Sequence, residues 1–257
     1  MTDGLHLEEL LAAALFTGAR VSGLMVFCPV LGSDAVPIPL KAGLTVLLTL
    51  ILHPLHGPVG LALSSWQWLQ VGLSEVVIGV VLGLAANFLF EAALMAGQIL
   101  GVQIGYSLAN VFDPQTQADT PVLSEFHRLA ALLIFLQLDV HYWLLRSLVH
   151  SFAYLPPGAA SATLGMATGL LHAAGGIFLA GVQIAAPSLV ATLVADMALG
   201  FLGKASPQLP VLFIGLAVKN LVGLTVLIAA MAYWPRMFNQ GFAKAIRVAE
   251  GLLHLAR

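Results

Sequence analysis

Charged residues are scarce in this sequence of 257 residues. Lys, Arg, Asp and Glu make up only 9% of the chain, against 60% hydrophobic residues, and the mean hydropathy is +0.97. Soluble domains carry about 25% charged residues, so this composition excludes an ordinary soluble protein and indicates one that lies in a bilayer. The formal net charge of −2 gives no sign of a nucleic-acid-binding surface.

Cysteine is almost absent as well. The single cysteine, Cys28, excludes an internal disulfide and a metal site made of cysteines alone. It stands beside Pro29 in an apolar stretch, so we expect a small buried residue there. The first nine residues contain no Lys or Arg, unlike a secretory signal, and we expect the first apolar segment to remain in the mature protein.

The familiar catalytic motifs are missing too. No HExxH zinc motif and no GxSxG elbow occurs. Pro54 prevents a helix between His53 and His56, so these two histidines do not present two ligands on one helix face. Ser124, Glu125 and His127 have the residue types of a catalytic set, but neighbouring loop positions do not make a triad. We therefore predict no enzyme, no metal site and no cofactor.

What the sequence does contain is long apolar stretches. A membrane-spanning helix needs about 20 residues, and period-2 alternation typical of strands is absent. Prolines interrupt the second and sixth stretches, which indicates kinked helices enclosed by protein or water. The fold predicted is all-α, an integral membrane protein with six or seven helical stretches. Those stretches cover 10–31, 38–63, 68–90, 92–111, 129–149, 164–200 and 208–235.

Single ionisable residues stand inside most of these stretches. A charge at a bilayer centre costs at least ~2.5–3.5 kcal/mol on insertion scales, so we expect these side chains to face protein rather than lipid and to serve assembly. Asp196 and Lys219 flank a short loop between two antiparallel stretches and could form a pair, with a structural role and a subunit-interface role equally open. The residues concerned are Arg20, Glu75, Glu91, Asp139, Asp196 and Lys219.

Glycines spaced four apart predict close helix packing. Gly97, Gly101 and Gly105 would fall on one helix face, and Gly79 and Gly83 repeat the spacing one segment earlier. Such faces let two backbones approach closely. The sequence alone leaves open whether the partner is in the same chain.

The carboxyl-terminal residues 236–257 form a basic tail. Arg236, Lys244, Arg247 and Arg257 stand against one acid, Glu250, and apolar residues interleave with them. This pattern favours an interfacial amphipathic helix on the cytoplasmic face. Otherwise we expect 1–257 to form a single membrane-embedded helical domain.

An ordered series of motifs resembles one family. The run 96–108, AGQILGVQIGYSL, followed by NVFDP at 110–114, resembles the R-type subunits of the flagellar type III export gate, the FliR family. EVVIG at 75–79, SF at 151–152, AAP at 185–187 and DMALG at 196–200 continue the resemblance in order. One departure is Asp139-Val140-His141, where the family has an Asn-Gly-His turn.

The resemblance implies a structural role in secretion. Family members join P-type and Q-type subunits in a hetero-oligomeric pore of kinked helical hairpins in the bacterial inner membrane, within the flagellar basal body. B-type switch and A-type export subunits are further implied partners, and the gate passes unfolded rod, hook and filament proteins. The resemblance also implies that a loop plugs the closed gate. That loop contains Phe112, Asp113, Pro114, Gln115, Thr116 and Gln117.

Two other functions stay open at this point. One is the same role in a virulence injectisome. The other is a secondary transporter with a midplane ion site, although no internal repeat of the kind common in transporters is visible.

Overall fold

A computed structural model describes residues 2–33, 36–55, 64–106, 121–159, 163–206, 208 and 210–254. All regular secondary structure within these ranges is helical, which confirms the all-α prediction. The α-helices are α1 Thr2–Phe27, α2 Ile38–Leu52, α3 Ser65–Ile104, α4 Val122–Gln137, α5 Val140–Tyr154, α6 Leu164–Ala205, α7 Val211–Met231 and α8 Trp234–Leu253.

Four helical stretches are long and apolar enough to cross a membrane. They are Glu8–Phe27 of α1, the whole of α3, Gly165–Ala205 of α6 and Phe213–Met231 of α7. The helices α4 and α5 qualify together as one further span that is broken and bent between them. The described part of the chain therefore has four to five candidate spans, which agrees with a membrane protein.

The predicted division between 68–90 and 92–111 is wrong. The stretch 68–90 and residues 92–104 of the next one both belong to α3, which runs for 40 residues from Ser65 to Ile104. Glutamate is a good helix former, and the helix passes through Glu91. The helix ends before Gly105, whose φ of 95° is a conformation that suits glycine.

The predicted stretch 129–149 is also wrong, because it contains a helix break. Leu138 and Asp139 separate α4 from α5, and Asp139 has the left-handed angles φ 52° and ψ 31°. Aspartate and asparagine tolerate this region better than most residues, so Asp139 makes a turn where the family has Asn-Gly.

Prolines act differently at the two predicted kinks. The helix α2 ends at Leu52 and continues only as a 3₁₀ turn, His53–Leu55, that contains Pro54. Pro187 lies inside α6, which is helical on both sides of it from Leu164 to Ala205. A proline is compatible with a long membrane helix when neighbouring groups bind the freed carbonyl.

The chain divides into two compact units, each built from separate segments. Unit 1 contains residues 1–88, 139–174 and 241–257, and unit 2 contains residues 89–138 and 175–240. The helices α3, α6 and α8 each contribute residues to both units. The single-domain description of 1–257 stays a prediction.

Unit 1 has an apolar core formed by α1, α3, α5 and α8. Buried in it are side chains from each of these helices, such as Leu24, Leu82, Phe152 and Leu253. In unit 2, α3 meets α4 through Phe90 and Phe135, whose ring centroids lie 5.6 Å apart with the rings close to edge-on. These contacts fix the helices that carry the charged residues.

The predicted tail is mostly the helix α8, and its apolar face is covered by protein. Phe238, Phe242 and Leu253 are almost fully buried, and Leu252 packs against Gly169 of α6. The core of the chain therefore covers the apolar face of α8, and the position of this tail at the membrane interface stays a prediction. The basic side chains Lys244 and Arg247 point outward and are exposed.

Candidate functional site: buried charges and glycine contacts

The most completely buried charges are Arg20 of α1 and Glu75 of α3. The Arg20 Nε donates a hydrogen bond of 2.7 Å to Glu75 Oε2, and Arg20 Nη2 lies 2.6 Å from the same oxygen. Both side chains have no exposed surface. Paired contacts of guanidinium with carboxylate are short and strong, so neither charge stands alone in the apolar interior.

The remaining polar atoms of this pair also have partners. Arg20 Nη1 donates to Ser151 Oγ at 3.0 Å, and Arg20 Nη2 donates to the carbonyl oxygen of Leu155 at 2.9 Å. The backbone N–H of Gly158 donates to Glu75 Oε1 at 2.9 Å. A buried ion pair holds together only when such extra hydrogen bonds satisfy it, and here they connect α1, α3, α5 and the turn after α5.

Two further features complete the site. The guanidinium carbon of Arg20 lies 4.1 Å from the centre of the Phe152 ring, within cation–π range. Gly158 has a φ of 89°, which turns its N–H toward Glu75. We call Arg20, Glu75 and these partners the buried charge network. The sequence pattern singled out both charges and the SF motif at 151–152, but not that they meet.

Glycines permit the close approach of α1 and α3 beside this network. A Cβ atom added to Gly79 would overlap the carbonyl oxygen of Arg20. A Cβ on Gly83 would come within 2.9 Å of the carbonyl oxygen of Leu24. Gly23 of α1 also lies at this contact, because a Cβ there would overlap the carbonyl oxygen of Val76 in α3. The two backbones therefore touch on both sides of the crossing.

The glycines Gly97, Gly101 and Gly105 differ in how closely the rest of the chain approaches them. A Cβ on Gly97 would come within 2.6 Å of the carbonyl oxygen of Leu123, at the start of α4. A Cβ on Gly101 would have only the Cβ of Pro121 near it, at 4.0 Å, and Gly105 lies beyond the end of the helix. Within the chain, the tight contact forms at Gly97, opposite the start of α4, and a tight contact at Gly101 and Gly105 stays a prediction.

A second charged pair lies in unit 2. Lys219 Nζ of α7 is 3.0 Å from Asp196 Oδ1 of α6, the approach predicted from their positions around a short loop. Gln103 Nε2 of α3 donates to Asp196 Oδ2 at 2.9 Å, a contact that no local sequence pattern indicates. The Asp196 side chain is 40% exposed and that of Lys219 21% exposed, so this polar triad reaches the surface of the chain.

The other two predicted charges are not buried in the single chain. Glu91 is exposed on α3. The Asp139 side chain is 76% exposed, because its left-handed turn carries the backbone out of both adjoining helices. This chain alone does not cover either residue, and their burial in an assembly stays a prediction.

Ser124, Glu125 and His127 lie in the first turns of the helix α4, so their assignment to a loop is wrong. Glu125 pairs with Arg128, the Oγ atom of Ser124 is buried without a partner, and His127 Nδ1 lies 2.7 Å from the carbonyl oxygen of Leu123. Across the residues that are described, no group of three potential His, Cys, Asp or Glu ligands comes together. The loop residues Phe112, Asp113, Pro114, Gln115, Thr116 and Gln117 lie outside the described ranges.

Comparison with known proteins identifies a family across the chain. The model of the family described as bacterial export proteins, family 1, matches residues 11–245. The flagellar biosynthetic protein FliR of Escherichia coli strain K12 is 33% identical over 212 residues, covering 82% of this chain and 81% of that protein. Its namesake in Bacillus subtilis strain 168 is 30% identical over 251 residues, covering 96% of each. That of Pectobacterium carotovorum is 32% identical over 238 residues, covering 91% of this chain and 90% of the relative.

Proposed function

This chain belongs to family 1 of the bacterial export proteins, and we propose that it is a structural subunit of the flagellar export gate. The observation that carries this proposal is the family match over 11–245, together with relatives named flagellar biosynthetic protein FliR that align along nearly their whole length. Unfolded rod, hook and filament proteins would pass through the assembled gate. The proposal gives the chain no covalent step in that transport.

The surface of the helices supports a role in an assembly. In the most hydrophobic 18-residue stretch of α7, only 17% is buried within the chain. The corresponding stretch of α6 is 28% buried. The half-exposed pair Asp196–Lys219 lies on these same helices. Partly exposed charges are costly against lipid, so a protein neighbour is the better environment for them.

The neighbours that we propose are the P-type and Q-type export-gate subunits, with the B-type switch and A-type export subunits of the same apparatus. The exposed carboxylates of Glu91 and Asp139 are proposed to meet partner side chains. The location proposed is the inner membrane, within the flagellar basal body.

The loop that contains Phe112–Gln117 is proposed to plug the closed gate. What supports this role is its polar sequence directly after α3, between two apolar segments, and its family resemblance. Shortening the loop should leave the assembly intact but leaky to ions and dyes. Dye entry into cells that make the gate with and without the loop measures this, and an equally tight gate would overturn the plug.

Complementation tests the proposed function itself. Cells that lack the gene should be non-motile and should secrete no hook or filament protein, and the intact gene should restore both. A tag on this chain should co-purify the P-type and Q-type subunits, with their ratio given by native mass spectrometry. If cells that lack the gene stay motile but no longer secrete the substrates of another type III system, the chain belongs to an injectisome instead. Ion flux by the isolated chain would indicate a transporter.

A further inference from the structure

The exposed face of α8 carries three cations and no acid. Arg236, Lys244 and Arg247 are all exposed, and they fall within ~80° around the helix at ~100° per residue. We call these three residues the basic stripe. Within the described part of the chain, none of them forms an ion pair. Their positive charge is thus available to an anionic partner.

The one acid of this helix, Glu250, lies at the edge of the stripe and binds another helix. Glu250 is half-buried, and its Oε1 accepts a hydrogen bond of 2.8 Å from Ser147 Oγ of α5. Its position lies ~60° from Arg247 around the helix, on the side away from Lys244. Glu250 is therefore engaged with the protein and does not neutralise the stripe.

The position of α8 along the chain indicates the level of the membrane surface. The candidate span of α7 ends at Met231, and Tyr233, which is 71% exposed, follows two residues later. Tyrosine is enriched where a membrane meets water. Arg236 follows within one helical turn, so the basic stripe begins at the level of the lipid headgroups.

The apolar face of α8 cannot provide membrane contact, because Phe238, Phe242 and Leu253 are buried in the protein. An exposed apolar residue, Val248, stands beside the cations instead. Basic residues near a bilayer surface attract anionic lipids, and each adds to the attraction. We propose that the basic stripe binds the anionic headgroups of phospholipids, with the apolar face of α8 turned toward the protein core.

A fluorescent label on the stripe tests this proposal. Gly251 is exposed on the same face, and a Cβ there would meet nothing within 4 Å, so Gly251→Cys provides a site for the label. The assembly purified through a tag on this chain is placed in nanodiscs of phosphatidylcholine with phosphatidylglycerol. A quencher is attached to the headgroup of one lipid or the other, at equal amounts.

Quenching should be several-fold stronger from phosphatidylglycerol than from phosphatidylcholine, and it should weaken at high salt. The double variant Lys244→Gln with Arg247→Gln should bring the ratio of the two quenching signals close to one, because it removes two of the three cations. The variant Lys244→Arg with Arg247→Lys should keep the stronger quenching from phosphatidylglycerol. A matched control removes two exposed cations elsewhere, Arg146→Gln with Lys204→Gln, and should leave the quenching unchanged.

Three results would overturn the proposal. Equal quenching from the two lipids would show no preference for an anionic headgroup. An equal loss in the stripe variant and the matched control would show only a general effect of charge. Protection of the label from both quenchers would show that another protein subunit, rather than lipid, covers the stripe.

Discussion

Arg20 and Glu75 stand 55 positions apart in the chain and form an ion pair with no exposed surface. Ser151, Leu155 and Gly158 satisfy the remaining hydrogen-bonding atoms of the pair. Three segments distant in sequence therefore depend on one another. This arrangement explains why an apolar chain keeps two charges in its interior.

Removing one member of this pair should be severe. Arg20→Leu leaves the Glu75 carboxylate buried without a counter-charge, which costs ~3–5 kcal/mol, a large part of an ordinary stability of ~5–15 kcal/mol. Thermal unfolding in detergent and the level of protein in the membrane measure the effect. The exposed Arg146→Leu is the control and should change little.

The double variant Arg20→Leu with Glu75→Leu distinguishes pairing from simple loss of polar groups. Because it removes both charges, it should recover part of the stability that either single variant loses. Additive losses in the double-mutant cycle would show that the two charges do not stabilise each other.

The close crossing of α1 and α3 predicts that alanine substitution has very different effects on stability at two glycines of α3, Gly79 and Gly72. Gly79→Ala should force the backbones apart, at a cost of ~1–3 kcal/mol, because its added methyl group would overlap the Arg20 carbonyl oxygen. Gly72→Ala should be neutral or stabilising, since nothing lies within 4 Å and alanine favours helix. Assembly yield after detergent extraction compares them, and equal yields would contradict the tight crossing.

Alanine substitution should also disturb the fold at Gly97 but not at Gly101, although the two glycines share a sequence motif. Gly97→Ala would press against the start of α4, whereas Gly101→Ala has space inside the chain. Limited proteolysis of the two variants should show faster cleavage only for Gly97→Ala. If Gly101→Ala folds normally but no longer co-purifies with partner subunits, the space beside it is a contact between chains.

The sequence predicts the helices well but not the contacts between distant segments. Apolar length predicts the spans, and the short loop between α6 and α7 brings Asp196 near Lys219. Nothing local indicates that Arg20 meets Glu75, or that Gln103 reaches Asp196, because those contacts depend on long-range packing. For the same reason, Gly97 and Gly101 look alike until the start of α4 is placed. Glu91 was misleading, since a charge alone does not end a helix.

The single thiol should be almost inert in the folded protein. Cys28 is only 5% exposed, and burial raises the pKa of its thiol above the ordinary value. A raised pKa lowers the thiolate fraction at neutral pH, and the thiolate is the reactive form. Maleimide labelling should therefore be slow in the native state and fast after denaturation. Rapid labelling of the native protein would show that the residues around Cys28 open readily.

Exchanging the charges of the partly exposed pair Asp196–Lys219 tests its role. Asp196→Lys places a lysine beside Lys219, and Lys219→Asp places an aspartate beside Asp196, so each single variant sets two like charges close together in an apolar setting. Each should reduce assembly. The combined exchange restores opposite charges, and the amide of Gln103 can rotate so that its oxygen accepts a hydrogen bond from the new lysine.

Protein level and co-purification of the exchanged variant show whether the pair lies within the chain or also contacts a partner subunit. If the pair is internal to the chain, both protein level and co-purification with partner subunits should return toward normal, because the interaction is symmetrical in charge. If a partner residue also contacts Asp196, the protein level should recover while co-purification stays low, since the partner then faces the wrong charge. Because the Asp196 side chain is 40% exposed, we expect the second outcome. Full recovery of both measurements would remove this pair from the proposed subunit contact.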